Sequence, residues 1–253
     1  MRHNQNSADG HAWKDNHFDL PVWSPGLIGG ALTCPASSLE VPHSDALEPE
    51  HLTLEAWVKL DHYPQGGDSR RWVVNKNDDE WIEGHYALNT QGSRVGAHLN
   101  IGGGRDNTID LWSDEGILPL GRWHHIAMTY DGQQLRVYAD GRQVAEKEVN
   151  RPRKPGSGPL AIGRRQDSYN SFEGLIDEVR IYSRALSADD IKAHADAGAA
   201  TPPRLPGPEK EQGLVGYWGF DDEGEAKATR DVLERIQHSA GPEGKWRERL
   251  GEG

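Results

Sequence analysis

Cysteine is almost missing from this chain of 253 residues: Cys34 stands alone, so neither an internal disulfide nor a thiolate metal cluster can form. A single cysteine of this kind is expected as a small buried apolar residue. Basic charge is in deficit, with 28 Lys and Arg against 40 Asp and Glu and a formal net charge of −12. Binding to a phosphate backbone needs a basic face, so nucleic-acid partners are not expected. The acidic excess suits solubility and the collection of divalent cations. Long apolar runs are lacking too. No segment approaches the ~20 residues of a membrane-spanning helix, which excludes helical membrane insertion. The opening MRHNQNSADGHAWKDNH has no apolar stretch of the signal-peptide kind, so the sequence as written carries no export signal.

Catalytic motifs are equally scarce. There is no His-Glu-x-x-His helix and no Gly-x-Ser-x-Gly elbow. Gly102-Gly103-Gly104 lacks the strand-turn-helix context of a phosphate cradle and reads as a loop. His124 and His125 lie in an alternating strand, which puts their rings on opposite faces and prevents joint chelation.

What the chain does have is period-two alternation. Leu52, Leu54, Ala56, Val58 and Leu60 alternate with Thr53, Glu55, Trp57 and Lys59, the pattern of a half-buried strand. Further strands are expected at 72–74, 85–89, 95–101, 108–112, 123–130, 135–139, 143–149, 160–163 and 172–182. Asp131-Gly132 and Asp140-Gly141 join neighbouring runs as hairpin turns, because glycine reaches positive φ at no steric cost. About a dozen short strands with frequent turns and few helices indicate an all-β antiparallel sandwich or jelly roll. Within 172–182, Phe172, Gly174 and Ile176 share one parity while Val179 and Ile181 share the other, which predicts a β-bulge near Asp177-Glu178. Ser187 with Asp190 three residues later begins a short helix that Gly198 can end.

The sandwich is assigned to residues 1–198, a proline-rich linker to 199–212, and a tail to 213–253. The tail holds one strand at about 214–221 and a helix at about 226–237.

The segments WHHIAMTYDGQQLRVYADGRQV, LAIGRR and FEGLIDEVRIYSRALSADDI resemble the LamG-like jelly-roll domains of the concanavalin A-like lectin/glucanase superfamily. GLIGGALT, LEVPHSDAL and LTLEAWVKL fit the same pattern in order, so the resemblance spans about residues 20–197. Thr33-Cys34-Pro35-Ala36 stands where such domains usually have Phe-Asp-Gly. Their opening strand, of the type Leu-Val-Gly-Tyr-Trp-x-Phe-Asp, has its likeness at the far end, in Leu214–Asp221. Either the tail starts a second repeat or it folds back into the vacant edge; an unpaired edge is a liability that the fold-back removes.

The resemblance implies a non-catalytic module that recognises carbohydrate or a protein surface, outside the cell or on its surface, within a larger multidomain protein. Calcium is the cofactor it suggests, with Asp177 at the bulge and Asn6, Asp9 and Asp221 as further ligands. Carbohydrate recognition needs aromatics flanked by polar groups, which points to Trp72, Trp81, Trp112 and Tyr169 with Arg105, Asp106 and Asn107. Two alternatives stand beside this reading. One is a glycoside hydrolase or lyase on the same fold, although Glu173, Asp177 and Glu178 lack the carboxylate spacing of those glucanases. The other is a structural adhesion repeat without a small ligand.

Overall fold

A computed structural model describes residues 23–65, 69–167 and 169–221. Asn6, Asp9 and the helix expected at 226–237 lie outside the described residues.

The strands are β1 (Trp23–Pro25), β2 (Gly30–Cys34), β3 (Leu39–Val41), β4 (Leu52–Leu60), β5 (Arg70–Lys76), β6 (Tyr86–Gln91) and β7 (Arg94–Asn100). They continue as β8 (Thr108–Trp112), β9 (Trp123–Tyr130), β10 (Gln134–Ala139), β11 (Arg142–Glu148), β12 (Leu160–Ile162), β13 (Gly174–Tyr182) and β14 (Leu214–Trp218). One helix, α1, spans Ala188–Ala199. The strands form two antiparallel sheets. The first runs β1-β2-β13-β4-β9-β10-β11 with β14 also on β13, and the second runs β3-β12-β5-β6-β7-β8. This is the expected sandwich, a jelly roll of the concanavalin A type.

The core follows from the alternation. Leu52, Leu54, Ala56, Val58 and Leu60 of β4 face Val74, Leu88, Ala97 and Leu99 of the other sheet in one buried cluster. Cys34 sits in that cluster, and burial pushes its thiol up to about 12. Both Asp-Gly turns close hairpins, and Gly132 and Gly141 have φ of 84° and 75°.

In β13 the pairing with β4 shifts between Asp177 and Arg180, and Glu178 has φ 51°. The bulge divides the far edge of β13 into two halves. Gly174–Ile176 pair with β2, whereas Val179–Tyr182 pair with β14. Trp218 and Phe220, at and just beyond the end of β14, enter the core at 4% and 2% exposure.

Helix α1 packs on the outer side of the first sheet. It starts with a reciprocal capping box between Ser187 and Asp190, and it buries Ile191, His194, Ala195 and Gly198.

Candidate functional site

The outer face of the second sheet is built by register. In β5 a bulge between Trp72 and Val74 lets Val73 and Val74 both enter the core, so Trp72 and Asn75 share the outer side. Trp72 then pairs with Asn89, Asn89 with Gly96, and Gly96 with Trp112, one row across four strands. The next row is Asn75, Ala87, His98 and Asp110. A Cβ on Gly96 would fall 2.3 Å from the Trp112 ring, so glycine there lets the indole lie against the strand.

These rows make a slot with aromatic walls. His98 lies 5.4 Å from the Trp72 ring and 6.0 Å from the Trp112 ring, centroid to centroid, and His85 meets Trp72 edge-on at 5.7 Å. Its floor is polar and unsatisfied. Both amide atoms of Asn89, Asn75 Oδ1, His98 Nδ1 and Trp72 Nε1 are buried without a hydrogen-bond partner among the described residues, while the His85 ring lies against the backbone of Lys76 and Asn77. Each such group costs about 1–3 kcal/mol when it goes unmet. Burial, reinforced by repulsion from His98, holds His85 well below the usual imidazole range, so its ring is neutral near pH 7.

Charges ring the slot in pairs. Arg70 lies 5.5 Å from the Trp72 ring centroid and 3.5 Å from Glu80. Arg165 reaches Glu80 at 2.6 Å and Asp167 at 2.5 Å, and stacks on Tyr169 at 4.8 Å. Gln166 joins Asn75 through its side chain, which ties this loop to the edge of the slot. Asp110 Oδ1 lies 3.0 Å from His98 Nε2. Burial pushes the Asp110 carboxyl up, but His98 outweighs this and lowers it.

The sequence singled out several of these residues. Trp72 and Trp112 come together through His98; Trp72 is fully buried and Trp112 half-buried. Tyr169 and Trp81 stand exposed at the rim, at 44% and 41%. Glu80 connects them, since it binds Arg165 and directly precedes Trp81. Arg105 lies 4.1 Å over the Trp81 ring. Asn107 is held by Gly103 and by Arg151 on the loop side, and Asp106 is exposed beside it. His85, Asn89 and His98 had no local signal. Only the pairing of β5 to β8 brings them together.

The expected metal residues belong to the other sheet. Asp177 Oδ2 accepts from the backbone N–H groups of Leu27 and Ile28 at 2.8 and 3.2 Å, and Oδ1 accepts from Glu178 N at 2.7 Å. Burial, with the neighbouring Glu178 charge, pushes its carboxyl up to about 8. Asp221 accepts from Gly30 N at 3.4 Å, on the same turn. Glu178 is taken up by Arg180 and Tyr217, each at 2.8 Å. Among the described residues no group of three or more His, Cys, Asp or Glu side chains is arranged to hold a metal. His124 binds Asp140, whereas His125 lies 3.3 Å from Glu55 on the opposite face.

Residues 35–192 match the family model described as the concanavalin A-like lectin/glucanases superfamily. The chain belongs to that superfamily. Over 185 residues it is 25% identical to mouse (Mus musculus) pappalysin-1, a match covering 66% of this chain and 10% of the relative. The match thus spans about a tenth of that curated relative's length. Among solved structures it is similar to domain 4 of AbnA, an extracellular arabinanase of Geobacillus stearothermophilus solved with arabinotriose. That likeness has a TM-score of 0.54 and 20% identity over 71% of this chain and 82% of the other. It is also similar to a Ruminococcus gnavus sialidase domain, CBM40, bound to sialyllactose, with a TM-score of 0.50 and 15% identity over 62% and 95% of the two chains. At these identities the structural likeness shows the fold.

Proposed function

We propose that the protein is a non-catalytic glycan-binding module whose ligand site is the slot on the outer face of the second sheet. The observation that carries this reading is the buried floor, where both amide atoms of Asn89 and the Oδ1 of Asn75 go unmet beside aromatic walls. A sugar supplies what such a site lacks: hydroxyls that both donate and accept, and C–H faces that pack on indole rings. The arabinotriose and sialyllactose complexes of the two similar domains are consistent with this use of the fold. Membership of the superfamily and the likeness to pappalysin-1 support a place outside the cell, as one domain of a larger protein. Among the described residues no helix is long and apolar enough to cross a membrane.

The carboxylates support binding over hydrolysis. Asp177 is spent on three backbone N–H groups and Glu178 on Arg180 and Tyr217, which leaves neither poised as a general acid or nucleophile. Calcium fits as a stabiliser away from the slot. Asp177 and Asp221, two of the four ligands expected, converge on the turn at residues 26–30 with carboxylate oxygens of the kind that calcium takes.

A glycan array followed by titration calorimetry tests the proposal. Binding to at least one oligosaccharide, weakened about tenfold or more by Trp112→Ala, is expected. Array-wide silence, or binding indifferent to Trp112, would overturn it.

A further inference from the structure

We infer that the ligand of this slot is an uncharged glycan, held without a bridging cation. The inference rests on the glycan-binding reading above and narrows it to a chemical class.

On the floor itself the hydrogen-bonding groups are neutral, and the nearest guanidinium, that of Arg70, lies beside Glu80. Asn75, Asn89 and the Trp72 indole carry no charge, and burial keeps the His85 ring in its neutral form. An anionic sugar in this slot would lose its hydration without gaining a free cation on the floor, a cost that a buried charge meets only when paired. The arginines nearby already have commitments. Arg165 is shared by Glu80 and Asp167, Arg70 lies beside the same Glu80, and Arg94 donates to the Ser113 carbonyl at 2.8 Å while lying over Trp112. Glu80, Asp110 and Asp167 balance these three arginines at the rim. The formal net charge of −12 adds a long-range term that disfavours approach of a polyanion.

Cation bridging is disfavoured by donor chemistry. Calcium and magnesium take six or more oxygens, preferably from carboxylates. The floor offers amides and imidazoles, and the carboxylates that converge elsewhere, Asp177 and Asp221, belong to the first sheet.

The test is calorimetry with neutral hexasaccharides of xylose, glucose, mannose and arabinose against a heparin hexasaccharide, hexagalacturonate and sialyllactose. Each is measured at about 50 and about 500 mM salt, with EDTA or with added calcium. The expected result is binding of at least one neutral oligosaccharide, with less than about a twofold change across salt and none with EDTA. Tighter binding of an anionic probe that falls steeply with salt, or loss of binding in EDTA, would overturn the inference while leaving glycan recognition intact. Silence toward both classes would instead overturn the glycan reading, and this inference with it.

Discussion

Glu55 and His194 meet at 3.0 Å on the outer face of the first sheet, joining central strand β4 to helix α1 across 139 residues of sequence. His125 approaches the same carboxylate at 3.3 Å, and Glu211 of the linker lies 3.6 Å from the other ring nitrogen of His194. Tyr182 stacks on the imidazole at 6.1 Å, and Arg180 opposes its charge. Burial alone would raise Glu55, but the two histidines hold it far below the usual carboxylate range. Burial likewise works to lower His194, and Glu55 with Glu211 overrides it upward.

The sign of the pH effect follows from that upward shift. A histidine raised in the folded state contributes fully below about pH 6.5, its unfolded value, and loses the contribution as pH rises through its folded value. Glu55 gives way only in strong acid, so the helix is clasped best under mildly acidic conditions. His194→Ala should cost about 1.5–3 kcal/mol at pH 6, the range for a hydrogen bond to a charged group, and less at pH 9. Thermal unfolding at the two pH values checks this. An equal loss at both would contradict it.

Gly198 tests the same docking through packing. A Cβ there would fall 2.2 Å from the Trp57 ring, which is itself 4% exposed. Gly198→Ala should therefore destabilise by about 1–3 kcal/mol through overpacking, despite alanine's better helix propensity. A stabilised variant, as propensity alone would give, would show that the helix is free to shift away.

Strand-level structure was legible because it is local. The alternation of Leu52–Leu60 and of Trp123–Tyr130 gives β4 and β9 with the same ends as the structure. The parity break in β13 gives its bulge, where Glu178 adopts positive φ. Ends marked only by apolar content moved: the strand expected from Phe172 starts at Gly174, and the one expected at 85–89 runs Tyr86–Gln91. The slot was half legible. Trp72 and Trp112 stood out as aromatics flanked by polar groups, but Asn89, His85 and His98 acquire meaning only from inter-strand register, which a single strand does not encode. The partnership of Glu55 with His194 was invisible for the same reason.

The C-terminal strand should matter to stability. Val179 pairs with Trp218, Arg180 with Tyr217 and Ile181 with Gly216. Trp218→Ala should cost about 3–5 kcal/mol, the usual range for a buried aromatic truncated in a core. Urea unfolding of this variant, beside a chain ending at residue 212, checks the claim. An unchanged midpoint for either would contradict a structural role for the strand.

Calcium at the Asp177 turn has its own signature. A carboxyl raised to about 8 destabilises the fold progressively as pH rises from its unfolded value near 4, and a bound cation would remove that penalty. Added calcium should therefore raise the melting temperature more at pH 8 than at pH 5, and Asp177→Asn should abolish the difference. A melting temperature unmoved by calcium at both pH values would rule the ion out as a stabiliser here.

The most direct measurement is of Asn89→Leu, with stability and glycan affinity determined on the same protein. Asn89 is fully buried with its amide unmet, so an apolar side chain of similar volume should hold or raise the melting temperature, by up to about 1–3 kcal/mol in stability. Glycan binding should fall at least about tenfold, because the ligand loses the floor that completes its hydrogen bonds. A variant that melts earlier yet binds as well as the parent would contradict the account, by showing that Asn89 serves the fold and not a ligand.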